Sequence, residues 1–431
     1  MRAPIAILTL LLLSLPFSIA QGTLTEAIEQ LPACALKCLV SAISESPCQL
    51  TDQTCICTNQ KLQLDVEVCV LQACSKKEAL TTKNITSTSC GAPIRDSSAL
   101  YCTISTTLAV LSAALVLLRL GYKMFITSME LGLDDCFVFI TLLAGTPSSA
   151  INVLGLAANG LGKDVWTLRF NQITSFSKYF YIMEIMYFAQ ITLLKLSLLF
   201  FYLRVFPGKP VRRVIWATVI FNSLFGAVFV TVAIFQCRPI SHYWNEWHGE
   251  TPGTCININA LGWSNAAISI ALDFWMLAIP ISQLLDLQLA WKKKVGVALM
   301  FCVGTFVTVV SILRLHSLVH FAKSINPTWD YWAVSNWSTV EINVGIMCVC
   351  MPSLRIILVR FFPKVLGTMR SNTGGYARYG SSSRIERVKI GNSNASTGHD
   401  KGMEDDVEMI IREAPSVDDS RSDVYKSRVY R

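Results

Sequence analysis

From residue 98 to residue 360 the chain alternates between two textures, long runs of mostly apolar residues and short polar connections. The runs fall near 98–120, 134–157, 179–203, 213–236, 260–285, 295–320 and 338–360. Each holds about 23–26 residues, enough to cross about 30 Å of hydrocarbon at about 1.5 Å per helical residue. A buried helix of a soluble protein seldom repeats that length so often. The pattern therefore predicts an all-α fold, a seven-transmembrane helix bundle, over 98–360.

The flanks read differently. Residues 1–20, M-R-A-P-I-A-I-L-T-L-L-L-L-S-L-P-F-S-I-A, have one Arg, an apolar run and small residues at Ser18 and Ala20. That is the anatomy of a cleavable secretory signal peptide, an uncleaved anchor being the alternative. Residues 21–97 form a cysteine-rich ectodomain. Residues 361–431, rich in Ser, Gly and Asn with mixed charge, lack a sustained apolar face and are expected to be a disordered cytoplasmic tail.

Charge placement sets an expected orientation. Arg119 and Lys123, then Arg204, Lys209, Arg212 and Arg213, then Lys292, Lys293 and Lys294 fall at alternate connections. The other connections are poorer in cations, with Lys163, Arg169 and Lys178, then Arg238, then Lys323. Positive-inside counting and the signal agree on an extracellular N-terminus and a cytoplasmic C-terminus in the cell membrane.

Composition strengthens this reading. The chain is 52% apolar and 15% charged, where soluble domains carry about a quarter charged residues. The net charge of +8 sits mainly at the ends of apolar runs, so it is a weak nucleic-acid signal and no nucleic-acid partner is expected. Two sequons, Asn84-Ile-Thr and Asn336-Trp-Ser, are expected outside as glycosylation sites, whereas Asn394-Ala-Ser belongs to the tail.

Of the 15 cysteines, eight lie between Cys34 and Cys90. A segment this short buries too little surface to be secure unaided. Four disulfides would supply the missing stability, at about 2–4 kcal/mol each. Spacing alone leaves about 105 connectivities open. Zinc competes as an explanation of the closely spaced cysteines, and the secretory context argues against it.

The array P-x-C-x3-C-x9-C-x3-D-x2-C-x-C-x11-C-x4-C-x15-C, from Pro32 to Cys90, resembles the CFEM domain of fungal extracellular membrane proteins. The resemblance implies a small helical basket with pairs Cys34–Cys74, Cys38–Cys69, Cys48–Cys55 and Cys57–Cys90. It also implies a cofactor. In haem-binding members the Asp at the position of Asp52 is the axial ligand of haem iron. A carboxylate is a hard oxygen ligand that suits ferric iron. By position alone, an Asp in T-D-Q is more often a turn or helix-cap residue.

The apolar region is similar to the fungal rhodopsin-like seven-helix receptors. The carrying motifs are L-D-D at 133–135, N-G-L-G-K-D at 159–164, K-L-S-L-L-F-F-Y-L-R-V-F at 195–206 and F-Q-C-R-P with Trp244 and G-T-C at 253–255. Asp273 with Pro280, Arg314-Leu315, and Glu341 with Pro352-Ser-Leu-Arg complete the set. Cys237 and Cys255 bracket one connection, and a disulfide there would close a hairpin over the bundle mouth. Two free thiols are the alternative. Tyr243, Trp244 and Trp247 within it are either ligand contacts or interfacial anchors.

Charges inside apolar runs are costly and face the bundle interior. Lys195 and Asp273 fall near mid-depth and are expected to pair. Arg314 is expected to pair with Glu184 or with Glu341, nearer the outer side. Such pairs act either as static locks between helices or as a switch that rearranges with ligand.

Several chemistries are missing from the sequence. The last span has no lysine for a retinal Schiff base, and neither N-P-x-x-Y nor D-R-Y is present; Tyr202-Leu203-Arg204 stands where the latter would be. His316 and His320 lack histidines on a second span, so they read as polar packing or pH-responsive groups. No nucleophile–base pair, phosphate loop or metalloprotease motif occurs, so an enzyme is not expected. The resemblance implies a fungal plasma-membrane, GPCR-like receptor for an unknown extracellular or host-derived ligand, coupled to a heterotrimeric G protein and linked to host infection. Its alternatives are haem or iron capture by the ectodomain, and ectodomain contacts with host proteins that suppress immunity.

Overall fold

In the computed structural model the described residues are 24–126, 132–285, 291–321 and 324–361. The expected signal peptide, the tail with Asn394, Lys323 and the side chains of Lys292, Lys293 and Lys294 lie outside the described residues.

Five short helices build the N-terminal unit: α1 (Leu24–Gln30), α2 (Ala33–Ser44), α3 (Gln53–Thr58), α4 (Gln60–Ala73) and α5 (Lys76–Ser89). Capping residues set their starts. Asp52 Oδ1 accepts from Cys55 N at the head of α3, and Asn59 accepts from Leu62 N at the head of α4. Ser75 and Glu78 form a reciprocal capping box on α5. The apolar core is small, centred on Ala35, Cys38 and Val70. Disulfides Cys34–Cys74, Cys38–Cys69, Cys48–Cys55 and Cys57–Cys90 close it, the pairing the resemblance implied.

The bundle follows as α6 (Ser98–Gly121), α7 (Leu133–Ala150), α8 (Phe170–Val205), α9 (Lys209–Ile234), α11 (Ile258–Leu285), α12 (Trp291–Phe321) and α13 (Pro327–Phe361). Among the described residues, six of these are long and apolar enough to cross a membrane. The expected span 295–320 lies in α12, a helix of 31 residues whose apolar stretch is described over Gly304–His320. Tyr122–Ile126 and Ile151–Ala157 continue α6 and α7 as π-turns. The second follows Pro147, which lacks an N–H for the α-helical ladder.

Two helices outrun their expected spans. α8 has 36 residues and α13 has 35, against about 20 needed to cross hydrocarbon. Both extend past their expected spans at their N-terminal ends, toward the N-terminal unit. α8 is the most buried of the spanning helices and is the centre of the bundle. Small residues let neighbours close on it: a Cβ at Gly345 of α13 would sit 2.2 Å from Leu194 Cδ2.

Between α9 and α11, strands β1 (Cys237–Arg238) and β2 (Thr254–Cys255) pair antiparallel around a short helix, α10 (His242–Asn245). Cys237 and Cys255 are bonded, so the expected hairpin forms.

Candidate functional site

A polar junction fastens the N-terminal unit to the bundle. The loop Asn159–Asp164 carries Gly160 at φ +109° and Gly162 at φ +81°, a backbone that other residues adopt only with strain. A Cβ on Gly162 would also meet Trp332 Cδ1 at 2.8 Å. This turn lets Ser97 N donate to Gly162 O and Gly162 N donate to Thr328 O, both at 2.9 Å. Asp164, 1% exposed, then accepts from Arg95 Nε at 3.0 Å and from Asn326 Nδ2 at 2.6 Å. Burial pushes the Asp164 carboxyl up, and the hydrogen bonds from Arg95 and Asn326 outweigh it, leaving the pKa below the ordinary carboxylate value. Further contacts join α5 to the bundle loops. Asn84 Nδ2 donates to Trp166 O at 2.8 Å, and Lys77 pairs with Glu250 at 2.6 Å.

Beneath this junction lies a cavity of about 320 Å³ between α6, α7, α8, α11, α12 and α13. Glu184, Tyr187, Arg314 and Asn152 line it among apolar side chains. Glu184 Oε2 accepts from Gln236 Nε2 at 3.0 Å and from Tyr243 OH at 3.4 Å. Arg314 Nε lies 3.0 Å from Glu341 Oε2, and its guanidinium stacks 4.6 Å above the Tyr187 ring. Of the two acidic partners expected for Arg314, the structure selects Glu341; Glu184 belongs to the hairpin instead. The ion pair is close without a hydrogen bond of good geometry, so Arg314 Nε and Nη2 have no hydrogen-bond partner among the described residues.

From Glu341 a chain of contacts runs through mid-bundle. Tyr187 OH donates to Glu341 Oε2 at 2.7 Å. Ser311 Oγ lies against Glu341 Oε1 and is 3.2 Å from Asp273 Oδ2. Asp273 is paired with Lys195, whose Nζ also donates to Ser269 O at 3.1 Å. The expected pair Lys195–Asp273 is therefore one link in a longer network. Ser311 has one hydroxyl hydrogen for Asp273, Glu341 and the Val307 carbonyl, so it serves one of them at a time. The network joins α8, α11, α12 and α13 and balances two cations with two anions.

A second ionic cluster closes the opposite end. Arg119 Nε donates to Asp135 Oδ1 at 2.8 Å, and its two Nη groups reach Asp134 and the Val349 carbonyl. Lys123 Nζ donates to Asp135 Oδ2 at 2.7 Å, and Arg204 lies 3.6 Å from Asp134. Arg119, Asp134 and Asp135 are no more than 2% exposed. From sequence, Arg119 and Lys123 read only as charges at a connection, and Arg204 as such a charge within the motif at 195–206. The available signal was the i, i+4 spacing of Arg119 and Lys123 opposite the L-D-D motif.

The remaining candidates are placed as follows. Asn336, expected outside as a glycosylation site just before the span 338–360, sits inside α13 with its Oδ1 buried, because that helix starts at Pro327 rather than near 338. Asn84 is exposed and already donates across the junction. Trp247 Nε1 donates to Thr174 Oγ1 at 3.0 Å, and Tyr243 and Trp244 pack on Tyr181, so these aromatics hold the hairpin against α8. His316 and His320 are exposed on α12.

Asp52 is exposed and is the N-cap of α3, within the loop closed by the Cys48–Cys55 disulfide. The cap uses Oδ1, which leaves Oδ2 as the hard oxygen donor that ferric haem iron would require. The donor chemistry fits, and Leu50, two residues earlier in the chain, is exposed apolar surface.

Residues 118–360 match the family described as fungal rhodopsin domain, and residues 27–91 match the CFEM domain. The chain is 29% identical over 249 residues to a SAT4 family membrane protein of Emericella nidulans, covering 56% of this chain and 62% of that one. It is 29% identical over 203 residues to the Satratoxin biosynthesis SC1 cluster protein 4 of Stachybotrys chartarum, covering 47% of this chain and 71% of that one. It is 24% identical over 278 residues to the Receptor GIN3 of Arthrobotrys oligospora, covering 62% of each. The match thus spans less than two thirds of the Emericella and Arthrobotrys proteins. No solved structure matches the chain.

Proposed function

The chain belongs to the fungal rhodopsin domain family, and from that premise we propose that it is a plasma-membrane receptor. Its ectodomain and bundle cavity receive an extracellular cue, and the buried polar network carries the response. The observation that carries this reading is the contact chain Arg314–Glu341–Ser311–Asp273–Lys195, which starts at the cavity wall and ends in mid-bundle. Its hinge is a single hydroxyl that serves one carboxylate at a time. A ligand that draws on Arg314 alters what Glu341 requires of Ser311, and through it the attachment of α12 to α11.

An extracellular N-terminus is supported by the placement of the disulfides. Four lie in the N-terminal unit and the fifth in the hairpin that meets it, as an oxidising compartment requires. The Arthrobotrys relative is named as a receptor, which supports the class of activity. Coupling to a heterotrimeric G protein, contacts with host proteins and a link to infection rest on the resemblance alone.

The test is Ser311→Ala, which removes the shared hydroxyl and keeps both ion pairs. The receptor reading expects normal surface level with an altered cellular response. A wild-type response would remove the network as the relay.

A second reading, haem or iron capture, is favoured by one observation, the exposed Asp52 carboxylate with Oδ2 outside the cap. When bound, haem would supply a redox-active iron, and Asp52 is the residue that would hold it. This reading expects Lys195 and Asp273 to be dispensable for the phenotype.

A further inference from the structure

We propose that the bundle cavity binds a neutral, largely apolar small molecule carrying a carbonyl oxygen and a hydroxyl group, an assignment that deepens the receptor reading and rests on it. The cavity, about 320 Å³, falls within the size range of small-molecule sites, about 300–1,000 Å³. Val110, Leu142, Phe188 and Ile346 contribute apolar wall, so most of the ligand is hydrocarbon.

Two buried polar groups on the wall have unmet demands of opposite sense. Arg314, 3% exposed, has Nη2 without a hydrogen-bond partner among the described residues. Asn152, 4% exposed, donates its Nδ2 to Ser105 Oγ at 3.2 Å and to Thr339 Oγ1 at 3.4 Å. These two bonds fix the amide, and its Oδ1 is left without a partner. Buried donors and acceptors are nearly always paired, so both groups call for an occupant. Arg314 requires an acceptor and Asn152 a donor.

Charge decides between the acceptors. Glu341 already answers the charge of Arg314 at 3.0 Å, and Glu184 lines the same cavity. A carboxylate ligand would bring a further negative charge beside two acidic side chains, in a site with little water to screen it. An ammonium ligand would face the Arg314 guanidinium. A carbonyl oxygen completes the missing hydrogen bond and adds no charge, and a hydroxyl does the same for Asn152 Oδ1. Ordered water is the competing occupant, since a polar cavity of this size can hold it.

The experiment uses the full chain in lipid nanodiscs and a diazirine-bearing photoprobe built on methyl 3-hydroxydodecanoate. Labelled residues are mapped by mass spectrometry. Competitors are three neutral probes (the parent hydroxy-ester, a hydroxy-ketone and a hydroxy-lactone of about the same size) beside dodecanoate, dodecylamine and dodecane. The expected result is saturable labelling of cavity-wall segments such as 142–152 and 258–262. At least one neutral probe competes tenfold or more better than the acid, the amine and the hydrocarbon. Asn152→Ala is expected to weaken that competition about three- to tenfold, the range for one neutral hydrogen bond.

Equal or better competition by dodecanoate or dodecylamine overturns the neutral assignment. Equal competition by dodecane overturns the polar contacts. Labelling that does not saturate, or that falls only on lipid-facing positions, means water alone fills the cavity and overturns the proposal outright. The wild-type competition order decides the class even if Asn152→Ala unfolds. Binding without any change in the cellular response would leave this assignment standing and remove the receptor reading. A Ser311-dependent response without hydroxy-carbonyl binding would do the reverse.

Discussion

Lys195 of α8 and Asp273 of α11 form a buried ion pair, and the second carboxylate oxygen of Asp273 lies 3.2 Å from Ser311 on α12. Two helices are held by charge and a third is attached through one hydroxyl. Breaking a buried pair by removing one partner costs about 3–5 kcal/mol, whereas replacing both partners with apolar residues is often neutral. Lys195→Met is therefore expected to lower surface level strongly, and Lys195→Met with Asp273→Leu to restore it. Flow cytometry of an ectodomain tag reads the level. If the double variant also responds as the wild type does, the pair is a lock and carries no signal.

At the opposite end, Arg119 ties Asp134 and Asp135 of α7 to the Val349 carbonyl of α13. Arg119→Ala removes the central cation from two buried carboxylates, leaving Asp135 to Lys123 and Asp134 to contacts of 3.6 Å, and is expected to destabilise the purified protein by about 3–5 kcal/mol. Arg119→Lys keeps the charge but cannot reach three acceptors in fixed directions, so an intermediate loss is expected. A thermal unfolding series in detergent measures both. Equal stability of Arg119→Ala and wild type would contradict the role given to this cluster.

The junction at Asp164 has a pH signature. Its pKa is below the ordinary value of about 3.9, so the contact with Arg95 and Asn326 contributes fully above that value. The contribution falls away as pH drops through the lower, folded-state pKa. Protection of the amides across residues 92–98, measured against their intrinsic exchange, is expected to fall in that acid range. In Asp164→Asn the protection should be low at every pH and should not depend on this titration. A variant as protected as wild type would show that the carboxylate does not fasten the N-terminal unit.

Asp52 separates the two readings of the N-terminal unit. Ferric haem titrated into the full-length protein is expected to give a saturable absorbance change that Asp52→Ala abolishes, if haem is a ligand. Asp52→Ala also removes a helix cap, for about 1 kcal/mol of local stability. Asp52→Asn keeps the cap and is the stricter control. An unchanged titration in both variants would leave Asp52 as a cap only.

Much of this architecture was legible in the sequence, and the illegible parts share a cause. Hydrophobic run length measures the depth of hydrocarbon, which located the spans but not the ends of α8 and α13. Their first turns carry polar residues such as Lys178 and Asp330 and remain helical outside the apolar zone. Asn336, two residues before the expected span, is helical for that reason. Lys195 and Asp273 could be paired from depth alone because each stands isolated in an apolar run. Arg119 and Lys123 could not, since cations at a span end satisfy the positive-inside pattern whether or not a partner waits across the helix. Asp164, Arg95 and Asn326 meet only through a glycine turn whose backbone path no spacing rule reveals. The Glu184 contact with Gln236 and Tyr243 likewise depends on the hairpin folding back over α8.

The most direct test of the relay is a distance. With exposed Cys136 and Cys302 replaced by Ser, spin labels at exposed Val214 of α9 and Leu358 of α13 report helix spacing at the end away from the ectodomain. Double electron–electron resonance on wild type, Ser311→Ala and Glu341→Gln in nanodiscs reads the populations. The account predicts that each variant, folded and at normal yield, shifts the distance distribution toward a second population that wild type holds at a lower level. Superimposable distributions in all three proteins would contradict it, leaving the buried network as a scaffold that fixes the bundle and transmits nothing.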